Sequence, residues 1–287
     1  MRGIRGFLLR VSFLRRPARP GRGMLVLLGG FLAAISLGFY AFFIEPCWIE
    51  VNTVELRTHK LDNAGFRVVQ ISDLHCDVKV RNEYRLGELI NPLEPDVIVF
   101  TGDMLNTEDA LPTCREGLNR LKAKSGKYAV YGNWDVWYFD KTTLFEDTSF
   151  RVLDGEGIDV VKDGEKIQIT GVGYDRGDMA YDILDDVGDD EYSILLYHTP
   201  DLVEGLQGLN VDLYLAGHTH GGQVAMPFYG AIITLAKHGK KYESGEYNVG
   251  ETTLYVNRGI GMEGGHMPRV RFLARPEVTV FNIKPQG

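Results

Sequence analysis

Hydrophobic positions along the 287-residue chain follow two different patterns. From Met24 to Ile44 they run for 21 residues without a charge. After Trp48 they break into short blocks rich in Val and Ile, separated by polar and glycine-containing stretches. At about 1.5 Å per residue the long run reaches about 31 Å as a helix, enough to cross a hydrocarbon core. Twelve of its 21 residues are Leu, Ile, Val or Phe, which favours insertion by roughly 4–7 kcal/mol. The short blocks predict buried strands at 67–72, 96–101, 128–131, 166–172, 193–197, 211–215, 252–257 and 278–283. Helical patterns at 84–93 and 109–124 fall between the early blocks and predict crossover units. The later blocks follow one another closely on Gly-containing turns, which predicts antiparallel pairing. The chain beyond Trp48 contains no repeat and no low-complexity linker, so it reads as one α/β domain.

Charge is distributed as unevenly as hydrophobicity. The first 23 residues hold seven arginines (Arg2, Arg5, Arg10, Arg15, Arg16, Arg19 and Arg22) and no acid. A basic arm before an apolar run keeps the N-terminus in the cytoplasm. Cleaved signals have apolar regions of about 7–15 residues that end at a small-x-small site. Here the pair Ala33-Ala34 lies inside the run and 38–44 continues it, so a retained anchor is expected. Arg15-Arg16 fits twin-arginine export poorly, because Pro17-Ala18-Arg19 follows it. The expected organisation is a cytoplasmic arm at 1–23, a transmembrane signal anchor at 24–44 and a domain at 48–287. That domain would lie on the outer or periplasmic face of the inner membrane. The formal charge of −8 then divides into +7 for the arm and −15 for the remainder.

A hydrophobic content of 44% excludes a disordered chain, and three cysteines exclude a disulfide scaffold. At least one cysteine is left unpaired, and the sequence gives no pairing. Cys76 reads as packing, and Cys47, just past the apolar run, as a candidate for lipidation. Glycine is high at 34 residues, about 12% against a usual value of about 7%. Gly102, Gly132, Gly217, Gly221 and Gly222 fall in the turns that carry candidate chemistry.

That chemistry lies where the predicted strands end. Asp73-Leu-His75 follows 67–72, and alternate strand positions would aim Asp73 and His75 at one point with Leu74 facing the core. Gly102-Asp103 follows 96–101, Gly132-Asn133-Trp134-Asp135 follows 128–131, and His198 follows 193–197. Gly217-His218-Thr219-His220-Gly221-Gly222 follows 211–215. Ligands of open α/β sheets gather at such ends. Imidazole and carboxylate donors without thiolate suit Mn, Fe or Zn rather than a structural zinc site.

The order D-x-H, GD, GN-x-D, H, GHTHGG resembles the calcineurin-like metallophosphoesterase family. The flanks at 70–75, 257–261 and 272–277 resemble its membrane-anchored bacterial branch. The resemblance implies a four-layer α/β/β/α sandwich around two mixed β-sheets. It also implies two divalent metal ions, the first held by Asp73, His75 and His220 and the second by Asn133, His198 and His218. The Asp103 carboxylate would bridge them, and Asp103, Asn133 and His218 would be the catalytic residues. Two cations about 3.5–4 Å apart clamp a phosphate and generate a hydroxide near neutral pH. Asn106 stands where purple acid phosphatases have a metal-binding Tyr, which implies no purple colour.

One position departs from the family pattern. The family usually reads GN-His-Asp, and its His protonates the leaving group; here the position is Trp134, with an N–H donor and no titratable group. Its absence would favour good leaving groups, with His266 or His238 as candidate substitutes, and Asp135 loses its usual partner.

The implied reaction is hydrolysis of a phosphodiester in an envelope or lipid-linked substrate. Within the resembling branch, the runner-up is a UDP-2,3-diacylglucosamine pyrophosphatase, whose cytosolic substrate conflicts with the expected topology. A non-catalytic metal-binding membrane module is the reading from another class, although its ligand set is complete. Residues 226–236 (MPFYGAIITLA), followed by Lys237, Lys240 and Lys241, read as a core strand with a surface turn. The alternative for that stretch is a membrane-facing lip. Expected partners are the bilayer and a phosphoester; nucleic acid is not expected. The acidic total does not bar an anionic substrate, because bound metals offset charge locally.

Overall fold

Successive residues of a strand point to opposite faces, so strands apolar at every position must be covered on both, and the sandwich is built from that rule. The structure, a computed structural model, describes residues 21–265 and 268–286. The arginines at positions 2–19 and His266 therefore lie outside the described residues.

Helix α1 (Arg22–Phe39) forms one unit and has no buried residue. Together with the turns that follow it, the stretch Arg22–Cys47 is long and apolar enough to cross a membrane. The second unit begins at Tyr40 with a π-helical turn (Tyr40–Ile44) and a 3-10 turn (Glu45–Cys47).

The elements of the second unit are β1 (Glu50–Thr58), β2 (Phe66–Ile71), α2 (Leu86–Ile90), β3 (Val97–Phe100), α3 (Leu111–Asn119), β4 (Gly126–Ala129) and α4 (Asn133–Tyr138). They continue with β5 (Arg151–Val152), β6 (Glu156–Lys162), β7 (Glu165–Gly171), α5 (Met179–Asp185), β8 (Tyr192–Leu196) and β9 (Leu213–Ala216). The last are β10 (Ala225–Met226), β11 (Gly230–Ala231), β12 (Gly245–Val249), β13 (Thr252–Val256) and β14 (Glu277–Pro285). One six-stranded sheet has the order β1-β14-β2-β3-β4-β5, the other β12-β13-β9-β8-β7-β6, and β10 pairs with β11 alone.

Val68, Val97, Val99 and Phe281 of the first sheet meet Ile169, Ile194, Leu196, Leu213 and Leu215 of the second in one buried cluster between the sheets. The alternate residues Val69, Ile71, Ile98 and Phe100 turn outward to pack with Leu86, Ile90 and Leu118 of α2 and α3. On the other sheet Leu195, Tyr214 and Leu254 turn outward to Ala180 and Leu184 of α5. The result is four layers, α/β/β/α, around two mixed sheets. Strands buried on both faces read as unbroken apolar runs, which is why these were visible in the sequence.

The early crossovers are as expected, with β2, β3 and β4 parallel. The antiparallel expectation for the later strands is overturned: β7, β8, β9 and β13 pair parallel. Short helical connections, α5 and the 3-10 helix Pro200–Gly205, return the chain between them. In that sheet the antiparallel neighbours are β6 beside β7 and β12 beside β13, and of the later strands β14 pairs antiparallel with β2 in the other sheet. The helix expected at 109–124 stops at Asn119, because backbone bonds of Lys124 to Pro95 and Ser125 to Asp96 pull the chain alongside β3. Cys76 is not mere packing: it forms a disulfide with Cys114 of α3, leaving Cys47 free and exposed. Residues 226–236 are not a core strand. They form most of a hairpin of two-residue strands and the loop after it, with Met226, Phe228 and Tyr229 exposed on the hairpin and Ile232, Ile233 and Leu235 on the loop.

Candidate metal centre

Seven donor side chains converge where the two sheets meet. β2 leads into Asp73 and His75, β3 into Asp103 and β4 into Asn133, while β8 leads into His198 and β9 into His218 and His220. The pleat is not what aims them. Asp73, His75, Asp103, His218 and His220 all have left-handed backbone, with φ between 39° and 72°. Such conformations are costly for non-glycine residues and persist where the surroundings enforce them. Here backbone bonds do so: Asp73 N–H donates to Gly102 O at 2.9 Å, His75 N–H to Asp103 O at 3.1 Å, and Gly217 N–H to His198 O at 2.8 Å. Two glycines permit the approach. A Cβ on Gly102, itself at φ +96°, would lie 2.6 Å from His198 Nδ1, and one on Gly217 would overlap Ser72 Oγ and the Asp73 carboxylate.

The donors fall into overlapping groups. Asp73, His75 and His220 can direct ligand atoms within 4.8 Å of one another, as can Asp73, Asp103 and His198. Asp103 Oδ2 lies 3.5 Å from His75 Nε2 and 3.2 Å from His198 Nε2, between the two groups. His220 Nε2 is 3.3 Å from Asp73 Oδ1. Asn133 Oδ1 and His218 Nδ1 are 2.9 Å apart, and the His218 ring stands edge-on to His198 with centroids 5.2 Å apart. His218 Nε2 approaches Leu235 O at 3.4 Å, which leaves Nδ1 to the centre.

The electrostatics fit cations. Burial pushes the His75 imidazole down to about 4, so it is neutral near pH 7, and neither ring nitrogen has a hydrogen-bond partner. Neutral imidazole with a buried, unpartnered lone pair is a metal-ligand state. Burial also opposes charge on His198, but Asp103 overrides it and pushes His198 up to about 10. Burial likewise opposes ionisation of Asp103, and His198 outweighs it, holding the carboxyl below its usual range. A proton on His198 thus balances carboxylate charge that cations would balance instead. His198 Nδ1 donates to Thr101 O at 2.6 Å, aiming Nε2 inward, an outer contact typical of metal-bound histidine.

One contributor is not singled out by the sequence reading. Arg271, fully buried, donates to His220 Nδ1 at 3.3 Å and to the carbonyls of Ala274 and Arg258, both at 2.9 Å. No periodicity marks such a residue. Asn106 braces the loop by donating to His75 O and Met262 O, each at 2.9 Å. Trp134 sets its ring edge-on to His75 at 5.2 Å, and its backbone N–H donates to Asp103 Oδ1 at 2.8 Å. Asp135, without the family's His beside it, takes backbone partners: its carboxylate accepts the N–H groups of Asp103, Met104 and Gly132, each at 2.8 Å. His238 packs on Tyr242, and no contact among the described residues joins it to the centre.

Comparison with known proteins now decides the family. The model for the calcineurin-like phosphoesterase family matches residues 66–222, which contain all seven donors. The chain belongs to this family. It is a metal-dependent phosphoester hydrolase by membership, with the two-sheet fold of the family and a membrane-helix candidate before it. A metallophosphoesterase of Bacillus subtilis (strain 168), YkuE, is 37% identical over 262 residues, covering 85% of this chain and 89% of its own. Phosphodiesterase YaeI of Escherichia coli (strain K12) is 27% identical over 263 residues, covering 87% and 94%. A bovine transmembrane protein with metallophosphoesterase domain is 30% identical over 261 residues, covering 80% of this chain and 56% of its own.

Proposed function

We propose that the chain is a membrane-anchored phosphodiesterase with a dinuclear centre. In this reading 1–23 is the cytoplasmic arm, 24–44 the anchor and 48–287 the catalytic domain on the outer face. The observation that carries the proposal is the buried cluster of Asp73, His75, Asp103, His198 and His220, with unpartnered imidazole nitrogens on His75 and His198, and with Asn133 and the half-buried His218 paired with each other at 2.9 Å. Asp73, His75 and His220 would hold one divalent ion, Asn133, His198 and His218 the other, with Asp103 shared. Such a pair, Mn, Fe or Zn by donor type, supplies positive charge for the phosphoryl oxygens and acidifies a water.

The protein's own groups prepare the site. Thr101 O orients His198, and Trp134 N–H with Asp135 fixes Asp103. Asp135 is committed to three backbone donors and does not protonate a leaving group. Trp134 brings no titratable proton either, so substrates with good leaving groups are favoured.

The Cys76–Cys114 disulfide supports an oxidising, extracytoplasmic face for this domain, as does the arginine-rich arm. The relative named phosphodiesterase supports the reaction class, and the relative named as a transmembrane protein supports the anchor. The same orientation weighs against a cytosolic nucleotide-lipid pyrophosphatase. A reporter fused after Gly287, read together with turnover of a panel of lipid phosphodiesters and nucleotide-lipid pyrophosphates, tests the reading. An exported reporter with diester preference is expected; a cytosolic C-terminus with pyrophosphate preference would replace it by the alternative.

A further inference from the structure

A cavity of about 480 Å³ opens on His218 and His220, within the range of small-ligand sites. Away from those two rings its walls are largely apolar, formed by Val224, Ile232, Ile233, Leu235, Pro268 and Val270. One wall is the segment 232–235 that directly follows the hairpin 225–231. Its apolar side chains are not tucked into a core: Leu235 is 70% exposed and Ile233 56%. Lys240 holds this shape by donating to Tyr229 O and Ala231 O, both at 2.8 Å, and Glu243 accepts the Ala231 N–H at 2.7 Å. A contiguous apolar patch fixed in the open marks a binding surface rather than a packing accident.

The location of the hairpin narrows the occupant. At its root, Ala225 N–H donates to Phe272 O at 2.8 Å and Phe272 N–H to Gln223 O at 3.0 Å. The neighbouring Arg271 N–H donates to Ala41 O at 3.1 Å, and the Tyr40 ring stands edge-on to Phe272 at 6.3 Å. Tyr40 is the residue directly after α1. The segment that bonds the root of the hairpin thus also bonds the first residues of the second unit, which follow directly in sequence on a helix long and apolar enough to cross a membrane.

We propose that this cavity is an acyl-chain site, so that the metal centre takes its phosphate from an amphiphile whose tail lies against Ile232, Ile233 and Val270. The inference rests on the phosphodiesterase reading and names its substrate class. A phosphate held beside His218 would have its adjoining chain next to this cavity, which opens on that ring. The cavity supplies that chain with an apolar path. The exposed hairpin residues supply the interfacial contact.

The test is binding of n-alkyl phosphates, from ethyl to decyl, to the full chain in amphipol with Mn²⁺, measured by titration calorimetry. The expected result is tightening by about fourfold per added methylene until the cavity is filled, then a plateau. Ile233→Asn and Ile232→Asn, both at exposed positions, are expected to flatten that slope. An affinity independent of chain length, or a slope that neither substitution changes, would overturn the acyl site and leave the hairpin as a surface for some other partner. Turnover of bis-p-nitrophenyl phosphate by the same preparation reports separately on the underlying reading. Turnover without a slope sinks only the acyl site; a slope without turnover sinks only the phosphodiesterase.

Discussion

The Asp135 carboxylate accepts the backbone N–H of Asp103 at 2.8 Å, fixing the main chain of the residue placed between both donor groups. The same carboxylate takes the N–H groups of Met104 and Gly132, so one buried side chain ties the loop after β3 to the loop after β4. Burial, with the Asp103 charge second, pushes Asp135 up to about 7, against the pull of these donors.

Asp135→Asn should weaken metal binding without abolishing the fold. An amide keeps one acceptor oxygen, and its NH₂ then faces a backbone donor. Metal affinity, measured by competition with a chelating dye, is expected to fall about 10–100-fold, the usual cost of losing an outer contact. Unchanged affinity would mean the two loops are held in place by other means.

Trp134→His should restore proton delivery at a position whose backbone already bonds Asp103. The expected gain falls on substrates with poor leaving groups, by about 10²–10⁴, with little change for p-nitrophenyl esters. Comparing kcat for alkyl and p-nitrophenyl diesters in both proteins reads this ratio. Equal effects on both classes would show that the Trp134 ring acts only by packing on His75.

The disulfide predicts a thiol count. In denaturant without reductant only Cys47 should react, and after reduction all three cysteines. Closing a loop with a sequence separation of 38 is worth about 4 kcal/mol in the chain-entropy model. Cys114→Ser should therefore shift the denaturation midpoint by up to that amount, and reductant should do the same to the parent chain. Three reactive thiols at the outset would contradict the pairing and remove its support for an outer location.

The central strands were legible because β2, β3, β8 and β9 are buried on both faces and leave long apolar runs. The edge strands were not: β1 alternates half-buried and exposed positions and β12 does the same, so neither carries a solid apolar block. Parallel pairing of β7 with β8 could not be read from turn composition, because it depends on where α5 packs. All seven donors were legible as a motif set, and the structure brings them to one place. Left-handed backbone beyond the strand end, and not the strand pleat, aims Asp73 and His75, and no residue pattern announces such a conformation at Asp or His. Arg271 and the backbone role of Asp135 stayed hidden because their partners are carbonyls and N–H groups distant in sequence.

Bis-p-nitrophenyl phosphate turnover by the chelator-stripped full chain, titrated with Mn²⁺ beside its metal content, tests the central claim most directly. The account predicts no turnover when stripped and recovery as metal binds. It also predicts loss of turnover in Asp103→Asn, with fewer ions retained per folded chain. Full metal binding with no metal-dependent turnover would contradict it and leave a metal-bound module without catalysis.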